Sequence, residues 1–381
     1  MQDINEIRKK IDEVDSKLID CYLKRMELTE EVAKLKMNTG KKIFDKKREE
    51  EKIENVMSYG RTQFEQEALK EMFEQIMSIS RKRQYQYLSK CSDSVMGDFE
   101  AIDSLDVKDK IVVFQGTDGA YSQMALKAFF KDECKSYHVD RWRDAMDDLK
   151  NDKADYAVIP IENTVAGSVT ENYDLLSEYG HCIVAELVIE IKHALLAKKG
   201  AKLSDIKRIC SHPQALRQCS NFLNSHKDIS QMTTKNTAMA AQMVSEGDDY
   251  SLAAIANPIN ADLYNLDILS DNIINVDTNA TRFIIVSKKK VFVSDSDKLS
   301  VSFELMHKTG TLYYMLSHFI YNGLNLTKIE SRPIEGSSFE YRFYCDIEGN
   351  LLDEAVKNAL TGINSEAKNV QIIGCYRAAN N

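Results

Sequence analysis

Apolar residues recur every three or four positions between Ile4 and Leu35, with polar residues between them. This spacing places them on one face of a helix, and at 1.5 Å per residue that helix would be roughly 50 Å long. Two more helical patterns follow, one beginning near Asp45 and one running over 65–88. We therefore predict an all-α domain over 1–90. A face this long cannot be buried within one short domain, so we expect a partner chain to cover it.

Strand and helix patterns alternate in the rest of the chain, after a polar, acidic stretch at 91–108 that we interpret as a linker. Short apolar runs typical of strands occur at 110–116, 156–161, 182–191, 208–211, 250–256 and 282–288, with helical patterns such as 121–130 and 238–247 among them. This alternation predicts an α/β domain over 109–289. The final part, 297–381, has the order βαββαβ, which predicts a ferredoxin-like α+β domain.

Charge and cysteine content exclude several classes of protein. The net charge of -9 over 381 residues argues against non-specific nucleic-acid binding, so no nucleic-acid partner is expected. The eight cysteines are scattered and form no C-x-x-C pair, which indicates reduced thiols rather than a zinc site or a disulfide framework. No apolar run is long enough to span a bilayer, and the N-terminus lacks a signal-peptide pattern. We expect a cytoplasmic protein with no membrane partner, no metal and no cofactor.

Cations accompany the apolar stripe of the first helix. Arg25 lies on the stripe, Arg8 lies beside it and Lys36 follows its last member. A cation near an apolar seam is costly unless an anion meets it, and few acids share that face, so the missing anion could be a ligand. Further polar candidates follow on the next two helices, at Asp45, Arg48, Glu49, Ser80 and Gln84. This set suits binding of a small dianion and stabilisation of charge separation, not covalent catalysis. The alternative is a helical dimerisation domain with solvated surface charges.

The same residues carry a resemblance to a known family. The patterns I-R-x-x-I-D-x-x-D at 7–15, R-x-E-L-x-x-E-V at 25–32, D-x-x-R-E at 45–49 and S-x-x-x-Q at 80–84 resemble the all-helical chorismate mutase domain. The resemblance implies an intertwined dimer that isomerises chorismate to prephenate. It also implies roles for each residue: Arg8 from the partner chain and Arg25 on the two carboxylates, Lys36 and Gln84 on the ether oxygen, Glu49 on the ring hydroxyl, and Asp45, Arg48 and Ser80 in support.

Polar residues also cluster where predicted elements of the middle domain begin or end. Ser122 closes the turn GTDGAYS before a helix, Glu162 and Asn163 follow the strand YAVIPI, and Thr281 and Arg282 precede a buried strand. Other candidates are His212 and Gln214 in SHPQ, and Thr237 in KNTAMAA. The ends of strands and the N-termini of helices are where α/β folds bind ligands. Taken singly, each could also be a turn, a helix cap or a surface ion pair.

Together these segments are similar to prephenate dehydratase, in the order G-x-x-G-x-Y-S, Y-A-V-I-P-I-E-N-T, S-H-P-Q, N-T-A, Y-x-L-x-I-L and T-R-F. The resemblance implies two α/β lobes, like those of a solute-binding protein, around a cleft that converts prephenate to phenylpyruvate, water and CO2. It implies that Thr281 assists departure of the hydroxyl. Because a threonine hydroxyl is a poor acid, either Glu162 or His212 would have to supply the proton, and which of them does so stays open. Arg282, Asn163, Ser122, Gln214 and Thr237 become candidates for the carboxylates and the keto group. The sequence NPINA at 257–261 departs from the small residues expected there, and Pro258 could reshape that loop of the cleft.

The last domain looks like an ACT regulatory domain, with GTLY at 310–313 and ESRP at 330–333. The resemblance implies that L-phenylalanine binds as an effector and inhibits by feedback. The implied effector residues are Gly310, Thr311, Leu312, Tyr313, Glu330, Ser331, Arg332 and Pro333, with Thr311 in place of the usual alanine.

The three resemblances predict a homodimeric or homotetrameric bifunctional enzyme with chorismate and prephenate as substrates. Two alternatives remain at this point. One is a ligand-responsive binding protein without turnover, and the other is a dehydratase whose residues 1–90 serve only to dimerise.

Overall fold

The computed structural model describes residues 3–90, 96–334, 336 and 339–379 of the chain. The chain divides into two compact units. The first unit combines Met1–Asp98 with Ser302–Val370, and the second combines Phe99–Val301 with Gln371–Asn381. The helical N-terminal segment and most of the C-terminal βαββαβ segment thus share a single unit.

Three helices open the first unit, α1 (Ile4–Thr39), α2 (Lys46–Met57) and α3 (Gln63–Ser89). Each helix begins at a capping residue in its own sequence. Asp3, Asp45 and Thr62 each accept a hydrogen bond from a backbone N–H of the first turn. This bond satisfies a donor that has no partner inside the helix. α1 ends at Gly40, whose φ of 66° suits glycine. The three predicted helices are present where the apolar spacing indicated them.

The apolar stripe of α1 is exposed within one chain. Ile4, Leu18 and Leu35 are 60%, 57% and 66% exposed, and the only buried residues of α1 are Thr29 and Ala33. The face is thus not buried inside a single chain, as expected for so long a helix, and its burial against a partner chain stays a prediction. A continuous apolar face of this length is typical of an interaction surface.

The second unit is built from two lobes, each around one sheet. In lobe A the strand order is β3-β2-β4-β12-β6, and in lobe B it is β11-β7-β10-β8-β9. The strands, in chain order, are β1 (Glu100–Ile102), β2 (Ile111–Gln115), β3 (Lys135–Val139), β4 (Tyr156–Asn163), β5 (Gly167–Ser168), β6 (Cys182–Glu190), β7 (Ala194–Lys198), β8 (Arg208–Ser211), β9 (Ser230–Thr233), β10 (Leu252–Ala256), β11 (Leu266–Ser270), β12 (Ala280–Ser287) and β13 (Val291–Val293).

Helices cover both sheets. They are α4 (Tyr121–Phe130), α5 (Trp142–Lys150), α6 (Thr170–Tyr179), α7 (Pro213–Gln218), α8 (Ser220–Ser225), α9 (Thr237–Glu246) and α10 (Ile259–Leu263). The central strands are apolar on both faces and fully buried, as in Val112, Ile159 and Ile284 of lobe A and Leu195 and Ile255 of lobe B. The chain crosses from lobe A to lobe B at 191–193 and returns at 271–279, so the cleft lies between two sheets joined by two short connections.

The predicted linker is partly structured. Glu100–Ile102 forms β1, which pairs in parallel with β13, so the interpretation of 91–108 as a linker is wrong for these residues. Their short length and polar flanks concealed a strand whose partner lies far along the chain. Residues 91–95 of that range lie outside the described residues.

The C-terminal elements follow the predicted βαββαβ order. They are β14 (Lys298–Leu305), α11 (Thr311–Tyr321), β15 (Leu326–Pro333), β16 (Tyr341–Glu348), α12 (Glu354–Glu366) and β17 (Lys368–Tyr376). The strand order β15-β16-β14-β17 is that of a ferredoxin-like sheet. Within the first unit, α3 packs against α11 and α12: Tyr314 Oη donates to Glu74, at 3.0 Å, and Ser89 contacts Asn358.

Candidate active sites

One cavity of about 280 Å³ in the first unit gathers most of the charged and polar residues predicted from the helical segment. Its wall contains seven of the eight, namely Arg25, Lys36, Asp45, Arg48, Glu49, Ser80 and Gln84. Apolar side chains complete it, among them Leu28, Val32, Ile43 and Met77. Charged groups in such a partly apolar wall interact more strongly with an anion than they would in bulk water.

Two cations of this cavity are held in place by polar contacts. Arg25 Nη1 donates to Ser80 Oγ, and Lys36 Nζ donates to the carbonyl of Ile43 at 2.6 Å. Burial lowers the pKa of both groups from their ordinary values, with acids such as Glu49 opposing the shift. A buried cation with a lowered pKa gains from an incoming anion, so both side chains are suited to an anionic ligand.

Gln84 is buried in the same wall. Its amide nitrogen donates to Ser80 O at 3.3 Å, while its amide oxygen has no hydrogen-bond partner among the described residues. Ser80 and Gln84 thus lie four residues apart on the face of α3 that lines the cavity, as their spacing predicted.

Arg8 is the one predicted residue that does not line the cavity. It is exposed on α1, and the 17 residues that separate it from Arg25 correspond to about 25 Å along a helix. Within one chain it cannot approach the same ligand as Arg25.

Arg81 also lines the cavity, and the sequence analysis missed it. The side chain is 7% exposed, and its Nη1 contacts both carboxylate oxygens of Glu49, at 2.7 and 2.5 Å. Its Nε donates to Glu366 Oε1 at 2.8 Å. In the sequence Arg81 belongs to the run Arg-Lys-Arg at 81–83, which is typical of a solvated surface. Only its position directly after Ser80 could have suggested a role.

In the second unit, Thr281 and Asn163 face each other across β12 and β4. Asn163 Nδ2 donates to Thr281 Oγ1 at 2.9 Å and also approaches Asn279 Oδ1, at 2.8 Å. The amide orientation follows from its oxygen, which accepts from the backbone N–H groups of Val165 and Ala166. Because Asn163 donates to Thr281, the hydroxyl hydrogen of Thr281 is available for another acceptor.

Arg282 and Glu162 lie on the other face of the same sheet, because successive residues of a strand point in opposite directions. Arg282 donates to Glu162 at 3.0 Å and to Glu186 at 2.8 Å, and Lys298 also contacts Glu186, at 2.9 Å. The structure thus places Glu162 in an ion-pair network on the side away from Thr281. Arg282 likewise points away from the Thr281 side, where a substrate carboxylate was expected to meet it.

A second cavity, of about 260 Å³, adjoins Asn163 and its neighbours. Its wall includes Gln214, as predicted, together with four polar residues that the sequence analysis did not select, Arg217, Gln218, Asn275 and Asn279. Asn279 is fully buried, and its amide nitrogen has no hydrogen-bond partner among the described residues. An unsatisfied buried donor in a cavity wall is suited to a ligand oxygen.

His212 caps α7, where its Nδ1 accepts from the backbone N–H of Gln214 at 3.3 Å. Burial lowers its pKa, and the charge of Arg217 lowers it further. The ring is therefore neutral at pH 7, and with Nδ1 acting as acceptor it carries its hydrogen on Nε2.

Ser122 and Thr237 lie at the starts of α4 and α9, whose N-terminal loops meet across the cleft. Thr117 Oγ1 lies 3.5 Å from Asn236 Oδ1, and Asn260 Nδ2 donates to Gly119 O at 3.2 Å. A Cβ on Gly119 would lie 2.0 Å from Asn260 Oδ1, so only glycine permits this approach.

Pro258 is the N-cap residue of α10, the helix that carries Asn260. The departure noted at 257–261 therefore lies at a contact between the two lobes.

The predicted effector residues occupy two short segments of the C-terminal fold. Gly310 is the N-cap residue of α11 with a φ of 80°, and Thr311, Leu312 and Tyr313 form the first turn. Thr311 Oγ1 approaches the carbonyl of Lys308, at 2.9 Å. Residues 330–333 form the end of β15, the strand at the edge of the sheet.

The described residues contain no group of three His, Cys, Asp or Glu side chains suited to a metal ion. Nor does any helix among them combine the length and the apolar character required to cross a membrane.

Comparisons with known proteins cover the two segments that carry these cavities. Residues 7–85 match the family Chorismate mutase type II, and residues 112–291 match the family Prephenate dehydratase. The chain is 31% identical to the bifunctional chorismate mutase/prephenate dehydratase of Enterobacter agglomerans, over 98% of this chain and 96% of the relative.

Two solved structures resemble part of the chain. A prephenate dehydratase of Arthrobacter aurescens, solved in complex with L-Phe, is 31% identical with a TM-score of 0.66, covering 71% of this chain and 90% of that one. A protein described as GqqA, a novel type of quorum quenching acylase, is 29% identical with a TM-score of 0.65, covering 71% and 98%.

Proposed function

Since the chain belongs to the family of bifunctional chorismate mutase/prephenate dehydratases, we propose that the cavity of the first unit is its mutase site and the cleft of the second unit its dehydratase site. The enzyme converts chorismate to prephenate and prephenate to phenylpyruvate in aromatic amino acid biosynthesis. The observation that carries the assignment is the convergence of predicted residues from three helices on one cavity, and the pairing of Asn163 with Thr281 in the other unit. These contacts, with the family matches over both segments, favour an enzyme over the binding-protein and pure-dimeriser alternatives.

In the mutase site the reaction is a unimolecular rearrangement that needs no proton transfer. The protein can accelerate it by holding the reactive conformer and by stabilising negative charge on the developing enolate oxygen. Arg25 binds a substrate carboxylate, Lys36 and Gln84 meet the ether oxygen, and Glu49 accepts from the ring hydroxyl. Asp45, Arg48 and Ser80 support them; Asp45 caps α2 through Arg48 N–H at 3.1 Å.

The second carboxylate of chorismate requires another cation, which Arg8 of a second chain supplies. Two observations support this. Arg8 is too far along α1 to reach the cavity of its own chain, and the exposed apolar stripe of α1 offers a continuous surface for a second copy of the helix. The enzyme is therefore at least a homodimer with composite mutase sites, and pairs of dimers would give the tetramer.

In the dehydratase site the central event is departure of the ring hydroxyl, driven by aromatisation. Thr281 donates its hydroxyl hydrogen to the departing oxygen, because its own oxygen already accepts from Asn163. A threonine hydroxyl is a weak acid, so the leaving oxygen needs a second proton source. Glu162 is committed to Arg282 on the other face. Neutral His212 can offer its Nε2–H only as a hydrogen bond, because a neutral imidazole is too weak an acid to release that hydrogen, and it must first be protonated to serve as the proton source.

The carboxylates and the keto group of prephenate then bind in the cavity beside Thr281. Arg217 supplies a positive charge there and Gln214 a neutral donor, while the unsatisfied amide nitrogen of Asn279 offers a buried one. Ser122 and Thr237, at the N-termini of two helices on either side of the cleft, complete the anion-binding groups. Arg282 acts at a distance, by tying β4 to β12 and β6 through its ion pairs.

The substitution Asn163→Asp tests the role of the amide. A carboxylate keeps the oxygen that accepts from Val165 and Ala166, but it cannot donate to Thr281. We expect dehydratase turnover to fall by about 10²-fold, measured as phenylpyruvate formation from prephenate. Mutase turnover of the same variant is the control and should be unchanged. Wild-type dehydratase turnover would contradict the proposed site.

The C-terminal fold is the proposed site of feedback inhibition. Its strand order, the left-handed Gly310 at the start of α11 and the ESRP end of an edge strand all match an ACT regulatory domain, and a similar dehydratase has been solved with L-Phe. We propose that L-phenylalanine binds at the two segments 310–313 and 330–333 and lowers dehydratase activity. Where phenylalanine acts by weakening prephenate binding, reciprocal coupling requires prephenate to weaken phenylalanine binding to the same degree.

Substitution of Ser331 or Arg332 tests this assignment. Either change should raise the phenylalanine concentration needed for half-inhibition by about 10-fold, since both residues belong to the proposed effector segment. Uninhibited turnover should stay the same. Inhibition curves that superimpose on that of the unmodified enzyme would place the effector elsewhere.

A further inference from the structure

Arg81 joins the mutase cavity to the C-terminal fold within the first unit. Its guanidinium bridges Glu49 of α2 and Glu366 of α12, two helices that each pack against α3. The Arg81 Cζ also lies 5.0 Å from the centre of the Phe44 ring. The side chain is thus held on three sides, by two carboxylates and one aromatic face.

Charge balance explains why both acids are needed. Burial opposes the charge of Arg81, but Glu366 and Glu49 outweigh it and raise the pKa of the guanidinium. A buried arginine that lost one of two acids would retain donors without partners, which is costly. Glu49 alone satisfies Nη1 and leaves Nε to Glu366.

Glu366 is itself fixed by the C-terminal fold. Its side chain is 10% exposed, and its Oε1 lies 3.6 Å from Nε2 of His318 on α11. A Cβ on Gly362 would lie 2.3 Å from His318 Nδ1, so α11 and α12 are in close contact at this point. Burial favours the neutral carboxyl of Glu366, yet His318 and Arg81 bring its pKa down to about 2, so it is ionised at pH 7.

The arrangement leaves Glu49 able to bind substrate. A carboxylate has about four acceptor positions, and Arg81 Nη1 takes one on each oxygen. The remaining positions are those available for a ring hydroxyl. Without Arg81, the Glu49 side chain would be free to rotate within the cavity.

We propose that Arg81 is a positioning residue of the mutase site and that Glu366 holds it, so that the C-terminal domain contributes to the mutase reaction of its own chain. This inference rests on the proposed assignment of the cavity as the mutase site. It predicts that the helical segment is not a self-sufficient mutase in this protein, because one support of Glu49 lies 285 residues beyond Arg81.

The test is a mutant cycle in the full-length enzyme. Glu366→Gln keeps the size of the side chain and removes its charge, and we expect mutase turnover to fall by about 10-fold. In a Glu49→Ala background the same substitution should change the residual turnover by less than about twofold, because the group on which it acts is gone. Dehydratase turnover reports folding and should be unchanged. Arg83→Met is the matched control: Arg83 lies two residues from Arg81 and contacts Glu30 in a half-exposed pair.

Each outcome of the cycle has a distinct meaning. Equal losses from Glu366→Gln in both backgrounds would show a general structural effect and overturn the inference. The inference would also be overturned if Glu366→Gln kept full mutase turnover while Glu49→Ala lowered it. A Glu49→Ala enzyme that retains full mutase turnover would instead refute the proposed mutase site itself.

Discussion

Thr281→Ala should lower dehydratase turnover by about 10³-fold, the loss typical of removing a positioned proton donor, while mutase turnover persists. The physical reason is the hydrogen-bond arrangement around the hydroxyl. Asn163 supplies a donor to Thr281 Oγ1, which leaves the hydroxyl hydrogen for the departing oxygen of prephenate. Both reactions are measured on one preparation, as chorismate consumption and as phenylpyruvate formation from added prephenate.

Two further variants separate chemistry from packing at this position. Thr281→Val preserves the branched shape of the 8%-exposed side chain and should be as slow as alanine, whereas Thr281→Ser retains the hydroxyl and should recover most of the turnover. A fast valine variant would show that the hydroxyl has no part in the reaction. Parallel loss of both activities in Thr281→Ala would show that the two sites do not act separately.

Arg25→Ala should lower mutase turnover by about 10²–10³-fold, the range found when one preorganised donor to developing charge is removed. Arg25 lies in a partly apolar wall, where burial strengthens its attraction for a carboxylate. Dehydratase turnover should be unchanged, because its residues belong to the other unit. If chorismate were consumed at the normal rate, residues 1–90 would be a structural dimeriser and no more.

The composite site gives this prediction a stricter form. Arg8→Ala should be as slow as Arg25→Ala, yet chains carrying the two substitutions, co-expressed, should regain about a quarter of wild-type mutase turnover. Random pairing makes half of the dimers mixed, and each mixed dimer has one complete site and one doubly defective site. A site built from one chain alone would show no recovery.

The extent of the sequence-based prediction differs between the two sites. Seven of the eight candidate mutase residues line one cavity, because their spacing of three and four along helices determines which side chains share a face. The candidate dehydratase residues lie at the strand ends and helix starts that the sequence indicated, but their grouping in space was not predicted. Arg282 and Glu162 pair across the sheet on the face opposite Thr281, so selecting them by proximity in sequence overlooked the alternation of side chains along a strand.

The residues that were missed share one property. Arg217 and Asn279 line the cleft from helix and loop positions that belong to no periodic pattern in the sequence. Arg81 lies in a run of basic residues that is typical of an exposed surface. In each case the residue is brought to its site by contacts with residues that are distant in the chain. The pairing of β1 with β13 was missed for the same reason.

The sequence by itself determined the elements: helix starts at Asp3, Asp45 and Thr62, the apolar strands of the second unit, and the order βαββαβ near the end. These depend on capping, periodicity and turn residues, which act within a few positions of one another. Only the tertiary structure decided which charges are buried together. Arg81 becomes a buried cation because α12 brings Glu366 to it, and Glu162 is committed to Arg282 because β4 and β12 are adjacent in register. The strength of an electrostatic interaction depends on the distance between the charges in space, and the local sequence does not determine that distance.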